Sequence, residues 1–189
     1  FGSIVSKGYT AFRQAYLTIE VHYDPAVLYP DGVASAEALA GANYNTLVRK
    51  ENAAALELFR QALTIRRDIG DRQGEGSSLL NIAQALGAAG DFSQAQHLLH
   101  TALAIQQAIG NRWWENRVWN ELGVLALLVG DWASARANLE RALALSSAIG
   151  DESADVITLL NLALAARGAG RYAVAEAQLR QCLELATRQ

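Results

Sequence analysis

Residues 109–132 read IGNRWWENRVWNELGVLALLVGDW, a stretch with a Gly followed by Asn or Asp near each end. Between Gly110–Asn111 and Gly130–Asp131, apolar side chains recur every three or four residues, as at Trp119 and Leu122. This spacing is typical of a helix with one buried face. Gly adopts the left-handed backbone that ends a helix, and Asn or Asp accepts the free N–H groups that open the next one. The stretch therefore predicts one helix between two tight turns.

The same kind of turn recurs along the chain at a fixed interval. It stands, 20 residues apart, at 70–71, 90–91, 110–111, 130–131, 150–151 and 170–171. Apolar positions coincide after a shift of 40 residues, so the repeating unit is a pair of antiparallel helices joined by short turns. We predict four units, of which the first is degenerate and begins near Asp31: 31–70, 71–110, 111–150 and 151–189.

This unit resembles the tetratricopeptide repeat, and the resemblance covers residues 31–189. The shared features are a small residue in the first helix, Gly–Asp–aromatic at the turn, and then Ala, a large apolar residue and Ala in the second helix. They stand at Ala83, Phe92, Ala95, Leu99 and Ala102 in one unit and at Gly123, Trp132, Ala135, Leu139 and Ala142 in the next. The resemblance implies an all-α fold, a right-handed α-solenoid of antiparallel helix pairs.

The unit also departs from the usual pattern of that family. The usual repeat has about 34 residues and ends near a Pro, whereas these units have 40 residues and no Pro follows Pro30. We expect the second helix of each pair to be the longer one. The extended unit is similar to repeats in Leu-Gly-Asn-type adaptor proteins and in bacterial signalling ATPases and transcription regulators.

Residues 1–30 lie outside the period. Apolar side chains recur there at helical spacing before the Pro25–Pro30 connection: Tyr9, Phe12, Tyr16, Ile19 and Tyr23. We predict one amphipathic helix that packs on the first repeat and covers that end of the solenoid.

Composition and charge narrow the classes of partner. The 16 Lys and Arg against 19 Asp and Glu give a net charge of −3, and no stretch concentrates basic residues, so we expect no nucleic-acid partner. No apolar run reaches the roughly 20 residues of a membrane span, so we expect no membrane association and a cytoplasmic location. Cys182 is the only Cys, which precludes an internal disulfide. Because the chain contains no Met, we interpret it as a segment of a longer protein.

The resemblance implies that first helices line a concave face on which a partner segment or helix is held. Asn81 and Asn161 stand at equivalent positions of these helices, with Glu121 between them. In the family an Asn here commonly hydrogen-bonds the partner's backbone, and the alternative is that it only ties adjacent helices together. The other groove candidates, by the same facing, are Gln84, Arg117, Asn120, Val124, Leu128, Leu160, Leu164, Arg167 and Tyr44.

The groove candidates mix apolar and amide groups with Arg117 and Arg167, which favours an apolar partner helix of some acidic character. The Lys and Asn residues with which some family members clamp a C-terminal carboxylate are replaced, because Ser77, Asn81 and Gln84 occupy the matching places. Binding of a chaperone tail is therefore not expected.

The four Trp residues all lie in the unit 111–150. Trp119 and Trp132 occupy core positions of the repeat. Trp113 and Trp114 open a helix, and we predict that at least one of them is partly exposed and offers an aromatic contact to a partner.

No set of side chains in the sequence predicts catalysis, a metal or a cofactor. His97 and His100 are three residues apart on a helix, but carboxylates at matching spacing are missing. His22 and Asp24 have no nucleophile at a recognisable offset. Cys182 stands where the repeat requires a small buried residue, which favours a packed thiol. We therefore predict a protein without catalytic residues, metal site or cofactor.

These observations predict a non-catalytic protein–protein interaction module whose partner is a protein or peptide. Two alternatives stay open. One is a sensor or autoinhibitory segment that contacts other parts of a larger signalling ATPase or transcription regulator. The other is a self-assembly scaffold, a homo-oligomer in which the C-terminal helix pair stacks on a second copy.

Overall fold

The computed structural model describes residues 44–187, with side chains from residue 53 onward. The chain divides into two units, 1–47 and 48–189; the first described helix begins in the first unit, and all the later helices lie in the second. The described residues form seven helices and no strand: α1 (Tyr44–Asp68), α2 (Arg72–Ala88), α3 (Phe92–Ala108), α4 (Arg112–Leu128), α5 (Trp132–Ile149), α6 (Glu152–Gly168) and α7 (Tyr172–Ala186). The predicted all-α fold is confirmed. The helix predicted within residues 1–30 lies outside the described residues. None of the described helices has the length and apolar character that a bilayer crossing requires.

The turns between helices have the predicted chemistry. All six turn glycines, from Gly70 to Gly170, have φ between 70° and 88°, the left-handed backbone that only Gly adopts without strain. Asp71, Asp91, Asn111, Asp131 and Asp151 each precede a helix and accept a hydrogen bond from the backbone N–H three residues later. Arg171 takes this place before α7 and makes no side-chain cap. These short turns set consecutive helices antiparallel.

The first helices of successive units touch each other, because α2 contacts α4 and α4 contacts α6. No comparable contact joins α3 to α5 or α5 to α7 in the described part of the chain. Helices that are close on one side of the array and separated on the other must curve around the close side. The faces of α2, α4 and α6 therefore form the concave surface, as the resemblance implied.

The buried core is concentrated around α2, α3 and α4. Large apolar side chains fill it: Leu79, Leu80, Ile82, Leu86, Leu99, Leu103, Ile105, Val118, Leu122 and Leu125. The clusters further along the chain contain only Ala among their buried members: Ala126, Ala135 and Ala165, then Ala163, Ala166 and Ala175. Leu139, Leu159 and Leu162 are buried as well, in α5 and α6, whereas α7 buries only Ala175, so packing is least extensive at α7.

A side-chain hydrogen bond recurs at the junctions between units. Three such bonds form: Arg67 donates to Glu75 at 2.9 Å, Gln107 to Glu115 at 2.9 Å, and Ser147 to Asp155 at 3.1 Å. Each donor lies 40 residues after the previous one, in or next to the last turn of a second helix, and each acceptor opens the next first helix. The helix macrodipole favours an acid such as Glu75 or Glu115 in the first turn of a helix. Their pairing across the junction is a second reason for an acid there.

The helix lengths differ from the sequence prediction. The first helices α2, α4 and α6 have 17 residues each, whereas α3, α5 and α7 have 17, 18 and 15. The second helix is therefore not consistently the longer one, and the prediction was wrong. The six extra residues per unit are shared by both helices, because a Gly turn ends each helix after the same interval.

α1 has no break where the other units have their inner turn. Lys50–Glu51 stands at the place of Gly90–Asp91, and the helix continues from Tyr44 to Asp68. Tyr44 therefore lies on the same helix as Phe59 rather than on a separate first helix. Without Gly the chain lacks the residue that most readily ends a helix, and it remains helical.

The aromatic residues that follow the turns are more exposed than the repeat pattern predicts. Trp132 was expected in the core, yet it is exposed, as are Phe92 and Tyr172 at the equivalent positions. The Trp132 ring lies over Gly168, where an added Cβ would come within 2.7 Å of the ring. The Trp132 ring therefore covers the end of α6 instead of filling the interior, and Tyr172 is largely open to solvent.

Candidate functional site

The concave face of α2 and α4 contains a cavity of about 410 Å³. Four predicted groove residues line it: Gln84, Glu121, Val124 and Leu128. The rest of the wall is apolar and partly made of small residues: Ala83, Gly87, Ala88, Leu99 and Leu125. Gly87 and Ala88 stand where α4 has Leu127 and Leu128, so α2 supplies less side-chain volume at this level. Leu99 and Leu125 were not predicted as site residues. A comparison of the units at the 40-residue shift could have shown that α2 has small side chains where α4 has two Leu.

Glu121 lies partly buried at the wall of this cavity. Burial raises the pKa of its carboxyl above the ordinary value of 4.5, and a hydrogen bond with Gln84 and the charge of Arg117 lower it in part. A carboxyl in such surroundings gains from a further donor or cation. The cavity therefore combines an apolar interior with two polar side chains, Glu121 and Gln84, whose oxygens are able to accept a hydrogen bond from a ligand.

The Asn residues of the concave face are partly engaged with each other. Asn161 Nδ2 on α6 donates to Asn120 Oδ1 on α4 at 3.1 Å. This bond agrees with the alternative in which the Asn ties adjacent helices together. Asn81 has the equivalent position on α2 and is half-buried. Contact between either Asn and a partner stays a prediction.

Trp113, Trp114 and Arg117 form a cluster at the start of α4. The two indole rings meet edge to face with centroids 5.0 Å apart, and the Arg117 guanidinium lies 5.1 and 5.3 Å from them. Trp113 is 43% exposed and Trp114 is half-buried. Trp113 Nε1 donates to Asp151 Oδ2 at 3.1 Å, across the junction to α6. Arg117 is thus held by two rings, and one edge of the cluster is open to a partner.

The remaining candidates extend the concave face along α6. Leu160, Leu164 and Arg167 are all exposed, and the structure does not bring them into the α2–α4 cavity. Tyr44 opens α1, and its side chain lies outside the described ones.

The described residues 44–187 contain no group of three or more His, Cys, Asp or Glu side chains placed to hold a metal ion. His97 and His100 are exposed on α3. The Cys182 thiol donates to the Val156 carbonyl oxygen at 3.5 Å, and burial raises its pKa. A higher pKa lowers the thiolate fraction, which makes this thiol a weaker nucleophile. His22 and Asp24 lie outside the described residues.

Family models match most of the repeat region. Residues 76–110 and 114–188 match two models that are both described as tetratricopeptide repeat. Residues 1–71 match a model described as a domain of unknown function (DUF3333). No curated protein matches the chain.

Solved structures with the same architecture are similar to the chain at low identity. BtubC (BKLC) from P. vanneervenii is 22% identical with a TM-score of 0.66, over 82% of this chain and 66% of that one. Two structures of a putative kinesin light chain with nearly identical TPR-like repeats, from Podosopora anserina, have TM-scores of 0.59 and 0.57. Each is 22% identical and covers 80% of this chain and 73% of its own. The chain thus spans just under two thirds of BtubC, and at this identity the likeness shows the fold alone.

The 40-residue helix pairs, their glycine turns and the two matching models show that the chain belongs to the tetratricopeptide repeat family. Repeats of this family generally mediate protein–protein interaction and typically act as scaffolds without catalytic activity. The repeat models begin at residue 76, so a repeat unit at 31–70 stays a prediction.

Proposed function

We propose that this chain is a non-catalytic protein-recognition module that holds a helix or peptide segment of a partner on the concave face of α2, α4 and α6. The observation that carries the proposal is the cavity between α2 and α4, whose walls include Leu128 and Glu121. Its volume suits one or two large apolar side chains of a partner. Glu121 accepts a hydrogen bond from the same segment, and Arg117 at the next turn receives an acidic side chain.

Leu128 and Val129 give a matched pair of variants for testing this proposal. They are adjacent in sequence and 60% and 53% exposed, yet Leu128 lines the concave cavity while Val129 lines a groove on the other side of the array. Leu128→Asp and Val129→Asp place the same charge at the same end of α4, so their effects on helix stability are similar. Only the first places a carboxylate in the concave cavity.

The measurement is affinity capture from a lysate of the source cells with wild type, Leu128→Asp and Val129→Asp, followed by binding assays with the purified candidate. We expect a partner that wild type and Val129→Asp retain and that Leu128→Asp binds at least tenfold more weakly. Circular dichroism must first show equal helix content in the three proteins. If Leu128→Asp retains every partner, the concave face is not the binding site.

A second candidate function is self-association through α7. Leu99, Leu139 and Leu179 are equivalent in the repeat, and they are 2%, 0% and 47% exposed. Leu139 packs against Gly123 of α4, whereas Leu179 is open to contact, and we infer that a second copy of the chain is able to cover it. Leu183 is exposed on the same helix. Sedimentation equilibrium of the wild type should show a dimer that the Leu179→Glu, Leu183→Glu variant lacks, and a wild-type monomer throughout the micromolar range rejects this candidate.

A further inference from the structure

Two grooves between the second helices are equivalent in the repeat. The first, of about 570 Å³, lies between α3 and α5, and the second, of about 450 Å³, lies between α5 and the turn that precedes α7. Every residue that lines the second groove stands 40 positions after a residue that lines the first. The pairs that matter for binding are Phe92 and Trp132, Val129 and Ala169, and Gln96 and Arg136. These grooves open on the side of the array away from the concave face.

Each groove has an apolar floor, an aromatic side chain at one end and basic side chains at its edge. The floor consists of Leu125 and Ala126 in the first groove and of Ala165 and Ala166 in the second. The small Ala side chains of these floors leave space for an apolar side chain of another molecule. The grooves are therefore able to take apolar side chains of a partner.

The charged side chains at the edge of the second groove are both Arg, whereas the first groove has one Arg and one Asp; the whole chain carries a net charge of −3. His100 and Arg141 line the first groove, and the Arg141 guanidinium is stacked 4.6 Å above the Trp119 ring. Arg136 and Arg171 line the second groove. Arg136 contacts Glu140 at 3.4 Å, but both side chains are more than half exposed, so this ion pair is weak.

One acid, Asp131, also lines the first groove, but its carboxylate is already engaged. It accepts the Ser134 backbone N–H at 3.0 Å as the cap of α5. This hydrogen bond does not remove the negative charge, so Asp131 and Arg141 oppose each other in the first groove, and Arg136 and Arg171 make the second groove the more positive of the two.

Arg171 differs in its chemistry from the residues at the equivalent helix-capping positions. Asp or Asn occupies the five equivalent cap positions and accepts a backbone N–H, whereas Arg171 makes no side-chain cap. A cation at a helix N-terminus is also unfavourable toward the helix macrodipole. A residue that weakens its own helix without a local gain is typical of a functional position. In this structure Arg171 contributes a positive charge to the edge of the second groove.

We propose that these two tandem grooves bind an extended, acidic segment of a partner protein, whose apolar side chains enter the grooves while its carboxylates pair with the basic edges. Arg136 and Arg171 offer the planar donor groups that pair with carboxylates. Occupation of one groove holds the segment near the other and so raises its effective concentration there. A nucleic acid supplies negative charge but no alternating apolar side chains for the floors. This site is separate from the concave face and does not depend on the function proposed there.

The test uses a fluorescein-labelled synthetic peptide of about 12 residues, roughly 40 Å when extended, in which Glu and Leu or Phe alternate. Binding to the whole chain is followed by fluorescence anisotropy. Controls are a peptide with Lys in place of Glu and a labelled single-stranded oligonucleotide of equal negative charge. The double variant Arg136→Gln, Arg171→Asp gives the second groove the residues that the first has at those positions. Val129→Asp places a negative charge in the first groove, and Leu128→Asp tests the concave face.

We expect the acidic peptide to bind wild type, and to bind more weakly as salt increases. The double variant and Val129→Asp should each weaken it roughly fivefold or more, whereas Leu128→Asp leaves it unchanged. The Lys peptide and the oligonucleotide should not bind. The proposal is overturned if the acidic peptide does not bind, if the oligonucleotide binds equally well, or if Leu128→Asp is the variant that weakens binding. Leu128 and Val129 lie on different faces of the array. A negative result in this test therefore does not contradict the binding site proposed on the concave face, and a negative result for the concave face does not contradict the binding of an acidic segment in the two grooves.

Discussion

Gly123 lies in the middle of α4 against Leu139 of α5. A Cβ added at Gly123 would meet Leu139 Cγ at 2.5 Å and Leu139 Cδ2 at 2.6 Å. Leu139 is fully buried. We therefore expect Gly123→Ala to lower the free energy of unfolding by about 1–3 kcal/mol, because the clash outweighs the gain of about 1 kcal/mol in helix propensity. Urea denaturation measures this difference.

Gly87 is the matched control for that substitution. It also lies inside a first helix, but an added Cβ would find its nearest neighbour, Leu125 Cδ1, at 3.4 Å. Gly87→Ala should therefore be neutral or stabilising by up to about 1 kcal/mol. If both substitutions stabilise the protein equally, close approach of α4 and α5 is not what requires Gly at 123.

Glu121 gives the fold a dependence on pH. Its folded-state pKa is raised above 4.5 chiefly by burial, so the folded protein holds this proton more tightly than the unfolded chain does. Its contribution to stability is greatest below pH 4.5 and is lost as the pH rises from there through the raised value. Glu121→Gln, which resembles the protonated acid, should have a higher melting temperature than wild type at pH 8 and equal stability at pH 4. The exposed Glu184→Gln is the control, and an equal gain there would assign the effect to net charge alone.

At the residue scale the sequence predicts some contacts and not others. The 40-residue shift shows that position 123 must be small, because Ala83 and Ala163 are its equivalents. The bond between Asn161 and Asn120 is not predictable in this way, since it depends on how closely α4 and α6 approach. The exposure of Trp132 was also not predicted. Its ring packs on Gly168 of α6, at the surface, and the sequence of α5 does not indicate that contact.

The start of α7 shows how far a helix depends on its cap. Asp131 and Asp151 accept a backbone N–H at 3.0 Å, and hydrogen bonds with Ser134 lower the pKa of Asp131. The equivalent N–H at α7 belongs to Val174, which bonds only the Arg171 backbone oxygen. Arg171→Asp should therefore raise the stability of α7 by about 1 kcal/mol, through the cap and the macrodipole together.

This gain should appear as higher helix content and slower amide exchange in α7 of the Arg171→Asp variant. Asp131→Ala is the reverse control and should destabilise α5 by about 1 kcal/mol. A loss of stability in Arg171→Asp would mean that the Arg side chain supports the fold, and the argument for its role in the second groove would then fail.

At the element scale, helix ends are the best-predicted feature. The Gly–Asp pairs act through local backbone chemistry, so the turns at 90–91 and 130–131 are readable from neighbours in sequence. Helix length was predicted wrongly, although the 20-residue spacing of the turns already divides each 40-residue unit into two helices of similar length. A turn was also expected inside the first unit, but α1 continues through that place because Lys50–Glu51 offers no residue that readily ends a helix.

In the whole array, stability is distributed unevenly. The large apolar core lies between α2 and α4, whereas Ala175 is the only residue of α7 that is fully covered. Helical repeat arrays are stabilised by each unit and its contacts with the next, so a unit with few buried side chains opens first. The sequence does not show this difference, because Leu139, Leu159 and Leu179 occupy the later equivalents of Leu79 and Leu99; it depends on α7 having no further helix of the described chain packed over it.

We therefore expect native-state hydrogen exchange, read by mass spectrometry, to proceed in order along the array. The amides of α7 should exchange first and those of α6 next, while α2, α3 and α4 remain protected until global unfolding. Leu99→Ala, in the large core, should accelerate exchange in α2 to α4 and lower the free energy of unfolding by about 2–5 kcal/mol. Leu183→Ala, at an exposed position of α7, should change neither by more than about 0.5 kcal/mol. Equal protection of α3 and α7 in the wild type would contradict this order, and it would mean that another molecule covers α7, as in self-association through Leu179 and Leu183.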